Sequence, residues 1–115
     1  IKLHSKFCFA GRFMAEFFVN RFERNGDIVV AACDSNIVGQ VFEENKLRLS
    51  VSKTFYCGRE CSEQELLSEM RNSTIINLAG NLCVAVAIKN GFVGKNHVLS
   101  IGGVMHAQAV TAKIG

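Results

Sequence analysis

Apolar and polar residues alternate cleanly in two stretches of the chain, and each alternation predicts a strand. Residues 2–9 place Leu3, Phe7 and Phe9 at odd positions and Lys2, His4 and Lys6 at even ones, so the expected strand has a wet, basic face. Residues 46–53 place Leu47, Leu49 and Val51 on one side and Lys46, Arg48, Ser50 and Ser52 on the other, a half-buried strand with a basic-polar outer face. Thr54-Phe55-Tyr56-Cys57 is expected to extend or follow that strand, with Gly58 breaking it. Two denser runs flank a turn signal. Phe17, Phe18, Val19 and Phe22 favour a strand over residues 15–24, and Ile28 to Cys33 is an unbroken apolar run, short enough for a strand buried on both faces. Asn25-Gly26-Asp27 lies between them, and Asn and Gly tolerate positive φ, so the pair is predicted to close a β-hairpin.

The periodicity then changes. Ser62-Glu63-Gln64-Glu65 has the spacing of a capping box, opening a helix whose buried stripe is Leu66, Leu67 and Met70. From Ile75 to Ile88 the chain is apolar nearly all round, which predicts one central helix packed on several sides and closed by Lys89-Asn90-Gly91. Val98 to Ile101 reads as a last strand, followed by Gly102-Gly103. Strands before helices predict an α+β fold, a mainly antiparallel sheet with an N-terminal hairpin and two helices between the third or fourth strand and the last one. The length, 115 residues, suits a single domain over 1–115.

Charge adds a direction to this picture. The net charge is only +3 and the pI near 8.7, below the level that marks an outright nucleic-acid binder. The layout is less even than the total. From Arg71 to the end the chain holds Arg71, Lys89, Lys95 and Lys113 and no acidic residue, whereas six acids and four bases share residues 43–69. A stretch of one sign suits an anionic partner, nucleic-acid phosphate above all, although four bases over 45 residues also describe an ordinary solvated surface. No run approaches the ~20 apolar residues of a membrane span, and the first residues carry no signal-peptide core, so no membrane partner and a cytoplasmic location are expected. In that reducing setting Cys8, Cys33, Cys57, Cys61 and Cys83 are expected as thiols. Cys57 and Cys61 form one close pair with no second pair to complete four zinc ligands, so no metal is expected there.

Motifs for catalysis are missing: no G-x-G-x-x-G, P-loop, G-x-S-x-G or H-E-x-x-H occurs. Cys33, Asp34 and His106 could serve a small enzyme if the fold joined them, but Cys33 suits a small core residue and Asp34-Ser35-Asn36 suits a turn. His106 and Gln108 share one face of an extended segment beside Gly102-Gly103, where a glycine pair lets another backbone, a base edge or a phosphate approach closely. The candidate nucleic-acid contacts are therefore Lys46, Arg48, Lys53, Arg59, Lys95, Gly102, Gly103, His106, Gln108 and Lys113.

Several segments together resemble a family of short uncharacterised archaeal proteins, a domain of unknown function. They are Ala32-Cys33-Asp34-Ser35-Asn36-Ile37-Val38-Gly39-Gln40-Val41-Phe42-Glu43-Glu44, Leu47 to Val51, Phe55-Tyr56-Cys57-Gly58, Ser62 to Glu65, and the ending Ile101-Gly102-Gly103-Val104-Met105-His106-Ala107-Gln108. The likeness runs over about residues 27–108, with Met105 where the family pattern has Pro and a longer, Phe-rich lead-in before Asp27. It implies an archaeal, cytosolic origin and a compact domain of α and β elements, and it supplies no catalytic residue.

Three functions fit these features. One is a small ribosome-associated, RNA-binding protein acting structurally in translation, with ribosomal RNA and neighbouring ribosomal proteins as partners and no cofactor or small-molecule substrate. The second is the Cys33/Asp34/His106 enzyme. The third is an interaction module docking through the Phe-rich N-terminus, where six of the nine Phe precede residue 23. The expectation here is the first, a non-enzymatic binder.

Overall fold

Asn25 and Gly26 have φ of 53° and 86°, the left-handed pair that a two-residue hairpin needs, and they join strand β1 (Phe17–Arg24) to β2 (Asp27–Asp34). The computed structural model describes residues 15–111, so the strand expected over 2–9 and Lys113 lie outside the described residues. A second hairpin, β3 (Val41–Glu44) and β4 (Leu47–Ser50), follows a short 3-10 turn at Ser35–Ile37. Then come helix α1 (Lys53–Tyr56), β5 (Arg59–Cys61), α2 (Glu63–Arg71), β6 (Ile75–Ala79), α3 (Asn81–Lys89), β7 (Leu99–Ile101) and β8 (Val104–Val110).

Six strands form one sheet in the order β5-β1-β2-β6-β8-β7, and β3-β4 form a separate two-stranded sheet. All neighbours in the large sheet are antiparallel except β2 and β6, which run parallel. The fold is thus α+β with a mostly antiparallel sheet, as the order of patterns predicts, with one parallel step at its centre. Helices α2 and α3 cover one face: Phe17, Val19, Val30, Ala32, Ile76 and Leu78 pack against Leu66, Met70, Cys83, Val84 and Ala87. On the other face Phe18, Ala31, Cys33 and Ala79 pack against Leu49, Val51 and Tyr56, supplied by β4, the segment after it and α1. Residues 17–19 and 30–33 feed both layers, which is why their sequence runs apolar without alternation.

Three local expectations are corrected. The apolar run 75–88 is not one helix. Ile75–Ala79 is a central strand, Gly80 turns the chain at φ 118°, and only residues 81–89 are helical. A strand buried on both faces and a buried helix look alike in periodicity, so their junction is invisible there. Thr54–Cys57 does not extend β4: Ser52 accepts the Phe55 N–H at 3.2 Å and starts the single turn of α1. Finally, residues 104–110 form a full strand, so among the described residues there are three helices and a longer C-terminal hairpin. The box at α2 is as predicted, with Glu65 N–H donating to Ser62 Oγ (3.2 Å) and Ser62 N–H donating to Glu65 Oε1 (2.8 Å), which holds the Glu65 carboxyl below its ordinary range.

Candidate nucleic-acid interface

The residues singled out from sequence fall in three places. Lys46 sits in the β3–β4 turn, Arg48 on β4 and Lys53 at the start of α1, all exposed on the small hairpin layer. Arg48 is paired with Glu43 at 3.2 Å. Arg59, on edge strand β5, is held by Glu69 of α2 at 2.8 Å. Lys95 is exposed in a 3-10 turn between α3 and β7.

Gly102 and Gly103 close the β7–β8 hairpin, and the Gly102 amide is already occupied, donating to Glu44 Oε1 at 2.8 Å. The close approach expected at this glycine pair is therefore taken, at Gly102, by the protein's own Glu44, which ties the two sheets together. His106 Nδ1 lies 2.8 Å from the Leu78 carbonyl. A carbonyl only accepts, so Nδ1 carries the proton and the ring braces β6. Gln108 is exposed on β8, opposite Asn77.

Cys33, Asp34 and His106 are not brought together. Cys33 and His106 flank Ala79 in one cross-strand row on the hairpin side, with Cys33 fully buried, while Asp34 faces the helix side. There its carboxylate accepts the Leu82 N–H (3.0 Å) and the Cys83 N–H (2.7 Å), capping α3 from a neighbouring strand. Burial outweighs these bonds and holds the Asp34 carboxyl above its ordinary value. The positive end of α3, where a ligand phosphate could sit, is thus occupied by the protein's own acid. Cys57 and Cys61 pack into different layers, Cys61 among the helix-side residues and Cys57 against the hairpin-side ones. Among the described residues no three metal-binding side chains converge.

Strand register reveals a surface that periodicity could not. Phe22 pairs with Val29, Val29 with Ile75, and Ile75 with Val110, so one apolar row crosses four strands on the hairpin side. At strand spacings of about 4.8 Å it spans about 14 Å. The next row is Asn20, Ala31, Asn77 and Gln108. Asn20 Nδ2 donates to the Thr54 carbonyl (3.3 Å) and the Phe55 carbonyl (3.2 Å), and the Tyr56 hydroxyl donates to Asn77 Oδ1. Burial pushes the Tyr56 phenol up, keeping the proton that this bond needs. These bonds stand α1 on the sheet as a wall, with Phe55 stacked on Phe22 at 5.4 Å between ring centres and 14° between planes. Among the described residues the hairpin layer stops at α1, so below it none of them covers the apolar row: Phe22, Val29 and Ile75 are half-buried and Val110 is 75% exposed.

At the lower end of the row a cleft of about 440 Å³ opens, lined by Arg71, Asn90, Gly91, Phe92, Val110 and Thr111. All six belong to the acid-free stretch. Arg71 and Lys89 end α2 and α3, where their charge offsets the negative ends of the helix dipoles.

Fold and surface define, over the described residues, a small α+β protein whose sheet carries helices on one face and a partly open, partly aromatic row on the other. The family model described as "Protein of unknown function (DUF424)" matches residues 22–112, and the chain belongs to that family. The chain is also similar to the protein in "Crystal structure of an uncharacterized conserved protein from Methanopyrus kandleri", with TM-score 0.65 and 22% identity over 86% of this chain and 96% of that one. This likeness shows a shared fold with an archaeal neighbour. No curated protein matches. Among the described residues no helix is long and apolar enough to cross a membrane.

Proposed function

We propose that this protein binds RNA as a small ribosome-associated component of archaeal translation, working through shape and charge without catalysis. The observation that carries the reading is the cleft built wholly from the acid-free stretch, in which Arg71 and the turn Asn90–Phe92 of the helix side meet Val110, the exposed end of the open row. A cation-bearing cleft beside an apolar row suits RNA, whose phosphates need cations and whose unpaired bases need flat apolar surface. Lys46, Lys53 and Lys95 lie exposed elsewhere and add to the field, whereas Arg48 and Arg59 are partly neutralised by Glu43 and Glu69. Gln108 stays in the reading as a polar group on the open face; Gly102 and His106 act as supports for it.

Co-sedimentation with ribosomal subunits in extract from the native cells is the direct test. Binding of purified protein to ribosomal RNA is expected to weaken with salt at a slope of about −3 to −4 in log K against log salt, for about four phosphate contacts. Replacing Arg71, Lys89 and Lys95 with Gln together should flatten that slope by about 2 or more with the fold intact. Association with neither subunits nor RNA overturns the proposal.

A further inference from the structure

We infer that the cavity between α1 and the lower sheet, lined by Phe22, Arg24, Val29 and Phe55, holds an unstacked base of single-stranded RNA. This deepens the RNA-binding reading and rests on it. The cavity measures about 110 Å³, the scale of one nucleobase ring system, and opens onto the apolar row that runs through Ile75 to Val110. Its walls are flat: Phe22 and Phe55 are near-parallel rings, and the half-buried exposure of both leaves surface for a third ring. Every base has a π-face, so such walls stack bases with little regard to sequence.

Charge selects this occupant over an apolar peptide or a second copy of the chain. Arg24 stands at the rim, exposed, with no carboxylate paired to it among the described residues. Its cross-strand neighbour Asp27 is turned to Thr74, accepting that hydroxyl at 3.0 Å. The β6 and β8 half of the row comes entirely from the stretch without acids and leads to Arg71 in the cleft beyond Val110. A strand of RNA lying across the row would therefore start beside the Arg24 guanidinium and run toward the cleft that holds Arg71, with its bases on the apolar residues between. Gln108, exposed beside this row, offers a carboxamide to a base edge.

The test uses the full chain with two fluorescein-labelled probes: an octamer of riboadenosine and an abasic octamer with the same number of phosphates. The base-bearing probe is expected to bind about tenfold tighter than the abasic one. Phe55→Leu and Phe22→Leu, which keep apolar volume in place, should each erase most of that ratio while leaving abasic binding and its salt slope unchanged. A 4-thiouridine octamer crosslinked to the unmodified protein should map to peptides holding residues 22–29 or 53–56, a readout that stands even if a variant folds poorly. Equal affinity for both probes, or crosslinks confined to other segments, overturns the base site while leaving RNA binding by charge in place. Binding to neither probe removes both readings. A stable dimer in light scattering that RNA does not dissociate assigns the face to a second copy, and base dependence that emerges only after deleting residues 1–14 assigns it to that segment; either result overturns the inference.

Discussion

Asp34 and Gly80 form a matched pair at the residue scale. A Cβ built on Gly80 would lie 2.3 Å from the Asp34 carboxyl carbon, and the φ of 118° is one that L side chains rarely adopt. The carboxylate can cap α3 only because that position has no side chain. Gly80→Ala is therefore expected to destabilise by at least about 3 kcal/mol, read as a lower denaturant midpoint, through strain and the lost cap together. The same carboxyl has a pH signature. Its folded-state value lies above the unfolded one because of burial, so its contribution to stability is full below the unfolded pKa and is lost as pH rises through the folded pKa. Comparing urea midpoints of the wild type and Asp34→Asn between about pH 3 and pH 7 should show the wild type losing stability relative to the variant as pH rises. A difference that stays flat, or runs the other way, contradicts that assignment.

Among the elements, α2 and α1 hold their places by different means. Helix α2 is bounded by a reciprocal cap that its own sequence carries, so Ser62→Ala should cost about 1 kcal/mol, measured by thermal or urea unfolding, without altering the sheet. Helix α1 is a single turn, too short to persist by its own hydrogen bonds. It depends on Asn20 and Asn77, residues 34 and 21 positions away from their partners, and on the ring stack with Phe22. Its position, and with it the wall of the proposed base site, is set by the sheet.

Taken whole, the described residues form a sheet whose centre is covered by helices on one face and which is covered about halfway on the other, and the thiols report that cover. Cys33, Cys61 and Cys83 are buried, and burial pushes the Cys61 thiol up to about 12 and the Cys83 thiol well above its ordinary range. Cys57 is only half-buried. Alkylation with iodoacetamide under native conditions, followed by peptide mass spectrometry, should modify Cys57 ahead of those three, which react only as fast as the fold opens. Early modification of Cys61 or Cys83 would show that the helix layer opens on its own.

The hairpin at Asn25-Gly26 and the capped start of α2 were determined by local sequence, because turn chemistry and capping act within a few residues, and alternation over 46–53 marked a strand that the structure keeps only over Leu47–Ser50, with Leu49 buried and Leu47 exposed. The family likeness and the acid-free C-terminal stretch were legible for the same reason, being properties of the linear chain. The split of residues 75–89 into strand and helix was not, since a strand buried at its centre runs into a helix that carries Leu82 and Ala85 even on its exposed side, so no change of period marks the junction, and the break rests on a glycine facing an acid 46 positions earlier. The candidate surface was hidden for a related reason. Phe22, Val29, Ile75 and Val110 become one row only through the parallel pairing of β2 with β6 and the return of β8 alongside, and Phe55 reaches Phe22 only because two distant asparagines hold α1. Register between strands far apart in the chain is decided by which faces the whole core can bury together, and that is a property of the tertiary structure.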